Sequence, residues 1–168
     1  MSNAIKNKKL TDLLTPKEIG EVDSWVSKYP PLQKQSAVLS ALTIAQNHHS
    51  YLTQEIMDAV AEYLEMPAIA VYEAASFYSM FEMKPVGKHI INVCTNISCQ
   101  LQGSKDVVKS LEKKLGIKLG ETTKDGHFTL RGVECLAQCV DAPAMQIKDK
   151  DYLKVTPDSV LKILESYK

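Results

Sequence analysis

Through the first half of the chain apolar residues recur every three or four positions, and through the second they gather in short β-branched runs, so the two halves follow different rules. Thr15-Pro16-Lys17-Glu18 combines an N-cap, a proline at the first helical position and a capping-box glutamate, and Ile19, Val22, Trp25 and Val26 continue it as an apolar stripe. A helix is expected there, ending at Tyr29-Pro30-Pro31. From Gln33 to His49 the small or apolar Ala37, Val38, Ala41, Leu42 and Ala45 keep helical spacing and predict a buried helix that a neighbour can approach closely. Thr53 caps a third helix with Ile56, Val60, Ala61 and Leu64 facing inward; Met66-Pro67 breaks it, and a fourth runs towards Phe81. A helical bundle over residues 1–86 is the expectation, with the lysine-rich first dozen residues (Lys6, Lys8, Lys9) mobile.

Pro85-Val86-Gly87 marks the change of pattern. His89 to Val93 reads as a strand entering Cys94, Lys105 to Leu115 as an amphipathic helix closed by Gly116, and Phe128 to Val133 as a strand entering Cys135. Ala144 to Lys148 and Tyr152 to Val155 read as two more strands, and Thr156-Pro157 opens a last helix. Such an order implies a mixed sheet, because a parallel pair needs a crossover helix whereas a hairpin is antiparallel. Residues 87–168 are therefore expected to form an α/β domain compatible with a thioredoxin-like fold, which makes the whole chain α+β.

Composition narrows the function. With 168 residues, 45% hydrophobic and 24% charged, the chain is ordinary for a globular protein rather than a disordered one. Twenty basic and twenty acidic side chains give zero net charge, so no global field draws it to nucleic acid or an anionic membrane. Between Tyr51 and Met83 there is no lysine or arginine, while Glu55, Asp58, Glu62, Glu65, Glu73 and Glu82 are acidic; the helices there cannot neutralise phosphates, and an acidic face for a protein partner fits better. No apolar run reaches the roughly 20 residues of a spanning helix, and no signal or arginine-rich leader is evident, so a soluble protein of a bacterial cytoplasm, or a processed organellar one, is expected.

In a reducing compartment four cysteines are metal ligands or redox groups before they are disulfides. They stand as Cys94-x4-Cys99 and Cys135-x3-Cys139, each pair directly after an expected strand, so loops at one end of a sheet can bring four thiolates together. A 2Fe-2S cluster, a structural zinc and redox-active or plain thiols all compete. Zinc knuckles usually pair cysteines two apart, and a dithiol oxidoreductase prefers Cys-x-x-Cys, whereas wider loops pass around a two-metal core and aim their N–H groups at its sulfides. The spacing favours the cluster without excluding zinc. Glu134 and Asp141 beside the second pair lower the expected potential, against Arg131, and the helix beginning near Gly103-Ser104 points its positive end back towards Cys99.

Other conspicuous residues have plainer explanations. His89 and His127 lie outside both cysteine pairs, so no Rieske arrangement forms, and they read as surface or strand-end residues. His48 and His49 sit at an expected helix end, where the dipole accounts for them. Phe77, Tyr78, Met80, Phe81 and Met83 read first as core and second as partner contacts. The glycines match no dinucleotide or P-loop pattern, and no Ser-His-Asp or Cys-His arrangement emerges, so no catalytic residue is assigned.

Tyr29-Pro30-Pro31, Ser36-Ala37-Val38, Val71 to Tyr78, Pro85-Val86-Gly87-Lys88-His89 and both cysteine motifs together resemble the NuoE-type 2Fe-2S subunit of respiratory complex I, NADH:quinone oxidoreductase, from about Pro16 to the C-terminus. The resemblance implies a helical bundle followed by a thioredoxin-like 2Fe-2S ferredoxin domain, with Cys94, Cys99, Cys135 and Cys139 holding one cluster. It implies a partner subunit that binds FMN and NADH, other peripheral-arm subunits beyond it, and a place on the cytoplasmic side of the inner membrane without insertion. The cluster would accept one electron beside the flavin, off the main chain of clusters. The equivalent diaphorase subunit of an NAD-linked hydrogenase or formate dehydrogenase uses the same cysteines, and a zinc-binding interaction module is the alternative of another class. One departure stands out: where the family commonly has Cys-Leu-Gly, this chain has Cys135-Leu136-Ala137, and alanine restricts a backbone conformation or close N–H approach that glycine allows.

Overall fold

The computed structural model describes residues 8–167, which leaves Met1 to Asn7, Lys6 among them, and Lys168 outside the described residues. The chain divides into two compact units, residues 1–85 and 86–168.

The first unit is all-helical: α1 (Leu10–Leu13), α2 (Pro16–Val26), a 3-10 segment (Pro31–Ala37), α3 (Val38–His49), α4 (Gln54–Tyr63) and α5 (Ala68–Phe77). The capping box forms, with the Thr15 hydroxyl accepting from the Glu18 N–H at 3.4 Å and the Glu18 carboxylate from the Thr15 N–H at 2.8 Å. Val22, Ala37, Ala41, Leu42, Ala45, Val60 and Val71 are fully buried at its centre, and the small alanines of α3 let neighbouring helices close on it. Burial is also the first cause that pushes the Tyr63 hydroxyl up to about 12, followed by its 2.6 Å hydrogen bond to Asp23.

Several sequence expectations change. α1 begins inside the first dozen residues, which were expected to be mobile, and is anchored by buried Leu10. Trp25 is 39% exposed, with the Lys28 ammonium 3.4 Å over its ring, because Val22 already fills the core side of α2. Regular α-helix begins at Val38 rather than Gln33, since the two prolines leave Gln33 at φ −123° and the chain enters as 3-10. α5 stops at Phe77 because the backbone beyond it finds other partners: Gln46 bonds the Met80 carbonyl at 2.9 Å and the Glu82 N–H at 2.6 Å, and the Leu52 N–H donates to the Glu82 carbonyl. Phe81 alone of the aromatic and methionine group turns inward, while Phe77, at 80%, and Tyr78, Met80 and Met83 stay exposed; Glu82, expected on the acidic face, is buried. His48 and His49 do occupy the last turn of α3, but their rings bond the Glu18 carboxylate and the Leu13 carbonyl, each at 2.9 Å.

The second unit holds a four-stranded mixed sheet in the order β2-β1-β3-β4, from β1 (His89–Cys94), β2 (Phe128–Val133), β3 (Met145–Ile147) and β4 (Lys150–Tyr152). β1 and β2 are parallel, joined through α6 (Ile97–Leu101) and α7 (Ser104–Leu115), while β1/β3 and β3/β4 are antiparallel; α8 (Pro157–Glu165) closes the chain. α7 buries Val107, Val108 and Leu111 and α8 buries Val160 and Leu164, in one core with Ile91, Val93, Leu130, Met145 and Ile147. The last hairpin strand is Lys150–Tyr152 rather than Tyr152–Val155, because Lys148, at φ 55°, turns the chain early. Gly87 is demanded by packing: a Cβ there would lie 2.6 Å from the Phe128 carbonyl carbon, while its N–H donates to the Thr129 hydroxyl at 2.7 Å. His89 starts β1 but is buried, not superficial, its ring edge-on to His127 and Tyr167; burial first, and then the Lys148, His127 and Lys88 charges, hold its pKa below the ordinary value.

Candidate metal centre

β1 delivers Cys94 as its last residue, and the parallel β2 ends in register beside it at Val133, two residues before Cys135. A short helix that the sequence pattern does not reveal, α6, then carries Cys99. Its Asn96 cap accepts from the Ile97 N–H at 2.7 Å. At five residues α6 is too short to show a periodic stripe, yet its geometry sorts its side chains: Cys99 points inward at 1% exposure, whereas Ile97 and Leu101 are exposed. Cys135 and Cys139 are exposed in the loop that leads into a 3-10 turn at Cys139–Asp141.

All four cysteines are free and come together at this end of the sheet. The Cys94 thiol is in hydrogen-bond contact with the thiols of Cys99 and Cys135, and Cys139 acts electrostatically on Cys99. Among the described residues no group of three or more His, Cys, Asp or Glu side chains is placed to hold a single metal ion. Side-chain and backbone bonds tie the first loop to the end of β2 and brace it internally. The Thr95 N–H and hydroxyl both donate to the Val133 carbonyl, at 2.9 and 3.1 Å, and the Gln100 amide donates to the Thr95 carbonyl at 2.8 Å. Neither Thr95 nor Gln100 was expected from the sequence, because each acts through a backbone carbonyl, Thr95 on that of Val133 at the end of β2 and Gln100 on that of Thr95 in its own loop.

The loops supply N–H groups to the sulfurs. Burial works to raise the Cys94 pKa, but the backbone N–H groups of Asn96 and Leu136, with the Cys99 and Cys135 thiols, outweigh it and hold the thiol below its ordinary value. Cys99 goes the other way: burial pushes it up, the Ala144 N–H opposes, and Cys94 and Cys139 add to the rise. The Ala137 N–H donates to the Cys135 sulfur at 3.2 Å. To make that approach Ala137 adopts φ 58°, the left-handed conformation that favours glycine. A cradle of thiols met by backbone donors fits an anionic iron–sulfur core, whose charge of about 2− must be offset by such groups. Asp141, expected to act as a bare negative charge, is paired with Lys154 at 3.0 Å, while Glu134 remains exposed.

A family model of thioredoxin-like [2Fe-2S] ferredoxins matches residues 22–168. The NuoE-type subunit of NADH-quinone oxidoreductase from Rickettsia felis is 46% identical over 152 residues, covering 90% of this chain and 91% of the relative. A second NuoE-type subunit, from Rhizobium meliloti, is 39% identical over 148 residues, covering 88% of this chain and 87% of the relative. Among solved structures, an NAD+-reducing [NiFe]-hydrogenase in the air-oxidized state superposes with a TM-score of 0.71 at 19% identity, over 83% of this chain. This chain spans 24% of that hydrogenase chain, and the likeness concerns the fold.

Proposed function

Because this chain belongs to the NuoE-type family of NADH-quinone oxidoreductase subunits and carries its thioredoxin-like [2Fe-2S] ferredoxin domain, we propose that Cys94, Cys99, Cys135 and Cys139 together hold one 2Fe-2S cluster and that the chain is a one-electron relay for the FMN of a partner flavoprotein that oxidises NADH. The observation that carries this is the convergence of the four thiols in a cradle of backbone N–H donors from Asn96, Leu136, Ala137 and Ala144. When bound, the cluster supplies a reversible one-electron couple.

The chain's own residues divide the work. Cys94 and Cys99 anchor the buried side and are held by β1 and α6, while Cys135 and Cys139 leave the other side open to solvent, where an electron partner can come close. Ile97 and Leu101, on α6 with Cys99, are 72% and 82% exposed, and Val140 beside Cys139 is 95% exposed. Exposed apolar side chains around a redox centre are what a docking protein covers, so the flavoprotein is assigned to this face. No helix among the described residues is long and apolar enough to cross a membrane, and we place the chain on the cytoplasmic side of the inner membrane through its complex, with the bundle, 1–86, and the cluster domain, 87–168, as its functional parts. The NuoE-type relatives match nearly end to end, which favours complex I over a hydrogenase diaphorase whose likeness is one of fold.

The test is anaerobic co-purification with the flavoprotein and EPR after reduction by NADH. A 2Fe-2S signal that disappears in Cys94→Ala and Cys139→Ala variants is the expected result. Zinc without acid-labile sulfide, or no such signal from this chain, overturns the assignment.

A further inference from the structure

The chain that follows β4 reaches back to the turn carrying Cys139. Lys154 donates its N–H to the Asp141 carbonyl at 2.8 Å, and Val155 donates its N–H to the Pro143 carbonyl at 3.0 Å. A third tie comes from the side chain, with the Lys154 ammonium 3.0 Å from the Asp141 carboxylate. Lys154 makes this clasp in the left-handed conformation, φ 48°, that side chains disfavour, while Val155 beside it is buried in the core shared by α7 and α8. Strain of this kind persists where the surrounding structure fixes it, and it gathers at functional sites.

The clasped stretch also meets the buried cysteines. The Cys94 N–H donates to the Ala144 carbonyl at 3.0 Å, and the Ala144 N–H bonds the Cys99 sulfur. Residues 141–144 are therefore bonded at once to Lys154 and Val155 and to Cys94 and Cys99. Asp141 stands two residues from Cys139, in the same 3-10 turn. Left bare there, its carboxylate would repel an electron added to the sulfurs, because the reduced state is the more negative one. Lys154 cancels that charge. Its side chain is 74% exposed and that of Asp141 37%, so the pair adds little to stability, and its effect is electrostatic and screened by salt.

We propose that Lys154 is a positioning residue that sets the potential of the relay: paired with Asp141, it removes a negative charge beside Cys139 and makes the centre easier to reduce. The inference rests on the cluster assignment and adds to it a residue outside both cysteine loops.

EPR-monitored redox titration of the intact, anaerobically purified chain tests this. Lys154→Gln should lower the equilibrium constant for reduction about fivefold, which is about 40 mV in a one-electron couple. The difference should shrink as salt rises from about 0.05 M to about 0.5 M. Lys154→Arg should keep the parent's potential. Asp141→Asn added to Lys154→Gln should restore it, since no bare charge is then left, whereas a merely structural role would leave the double variant no better than the single one. Circular dichroism melts of all three should match the parent, because the N–H groups of the clasp belong to the backbone. A parent chain without a 2Fe-2S signal overturns the cluster assignment and this proposal with it. With that signal present, an unmoved potential in Lys154→Gln, a lowered one in Lys154→Arg, no restoration in the double variant, or loss of the cluster in Lys154→Gln overturns this proposal alone.

Discussion

Ala137 is where the structure makes the sharpest demand on its sequence. Its left-handed backbone, φ 58°, costs an alanine about 1–2 kcal/mol, and glycine avoids that cost while losing about 0.5–1 kcal/mol more conformational freedom on folding. Ala137→Gly should therefore stabilise the cluster domain by about 0.5–1 kcal/mol. With a slope of about 1–3 kcal/mol/M, the urea midpoint for loss of the visible iron–sulfur absorbance, at fixed incubation time, should rise by about 0.2–1 M. The backbone path is unchanged, so the Ala137 N–H should stay on the Cys135 sulfur and the potential should hardly move. A hydrogen bond favouring the reduced state by about 0.5 kcal/mol is worth about 20 mV in a one-electron couple, which sets the resolution needed. A lower urea midpoint, or a potential that falls by more than about 20 mV, would mean that the alanine methyl holds the loop in place and that backbone strain does not govern the position. Ala137→Val is the opposite control and should destabilise more than glycine stabilises, since β-branching worsens a left-handed residue.

Removing these bonds by Thr95→Val or Gln100→Leu should cost about 1 kcal/mol each, the ordinary net value of a hydrogen bond, and should hasten cluster loss measured by absorbance; the Val133 carbonyl then keeps only the Thr95 N–H, or the Thr95 carbonyl loses the Gln100 amide. Gly87→Ala should be worse, because its methyl meets the backbone of β2 rather than a side chain that can move; a thermal midpoint within a degree or two of the parent would contradict the packing. Glu18 gives a pH effect with a defined sign. Its pKa is lowered from 4.5 to about 2, first by the Thr15 hydroxyl and backbone and then by His48, so its stabilising contribution is present above about 4.5 and is lost as the pH falls towards 2. Circular dichroism melts from pH 5 to pH 2 should fall less steeply for Glu18→Gln than for the parent, and parallel curves would remove Glu18 from the account.

Features carried by side-chain identity at local spacing were legible in the sequence. The Thr15 and Thr53 caps, the alanine face of α3, the strands entering Cys94 and Cys135 and the mixed sheet all follow from neighbours three or four residues apart, or from alternation along a strand. What escaped was decided by contacts distant in sequence. α5 ends where Gln46, more than thirty residues earlier, takes the backbone groups of Met80 and Glu82, and no local signal announces that. Trp25 looked inward on the stripe of α2, yet the core beside it was already filled.

The candidate site shows the same division. Four cysteines after two strands were visible, but their inequality was not: Cys94 and Cys99 are 2% and 1% exposed, while Cys135 and Cys139 are exposed. Spacing alone makes the two pairs look alike. They differ because α6 folds the first pair back against Ala144, whereas the second lies in a loop whose left-handed Ala137 turns an N–H onto Cys135 without covering it. In the cluster proposed for these cysteines an added electron is stabilised by fixed N–H dipoles and, on the side of Cys135 and Cys139, also by whatever covers the opening. The potential in the isolated chain is then set partly by water at Cys135 and Cys139, and a docked partner that replaces that water should lower it, because desolvation penalises the more negative, reduced state. A potential unchanged between the isolated chain and its complex with the flavoprotein would show that the opening is not where the partner sits.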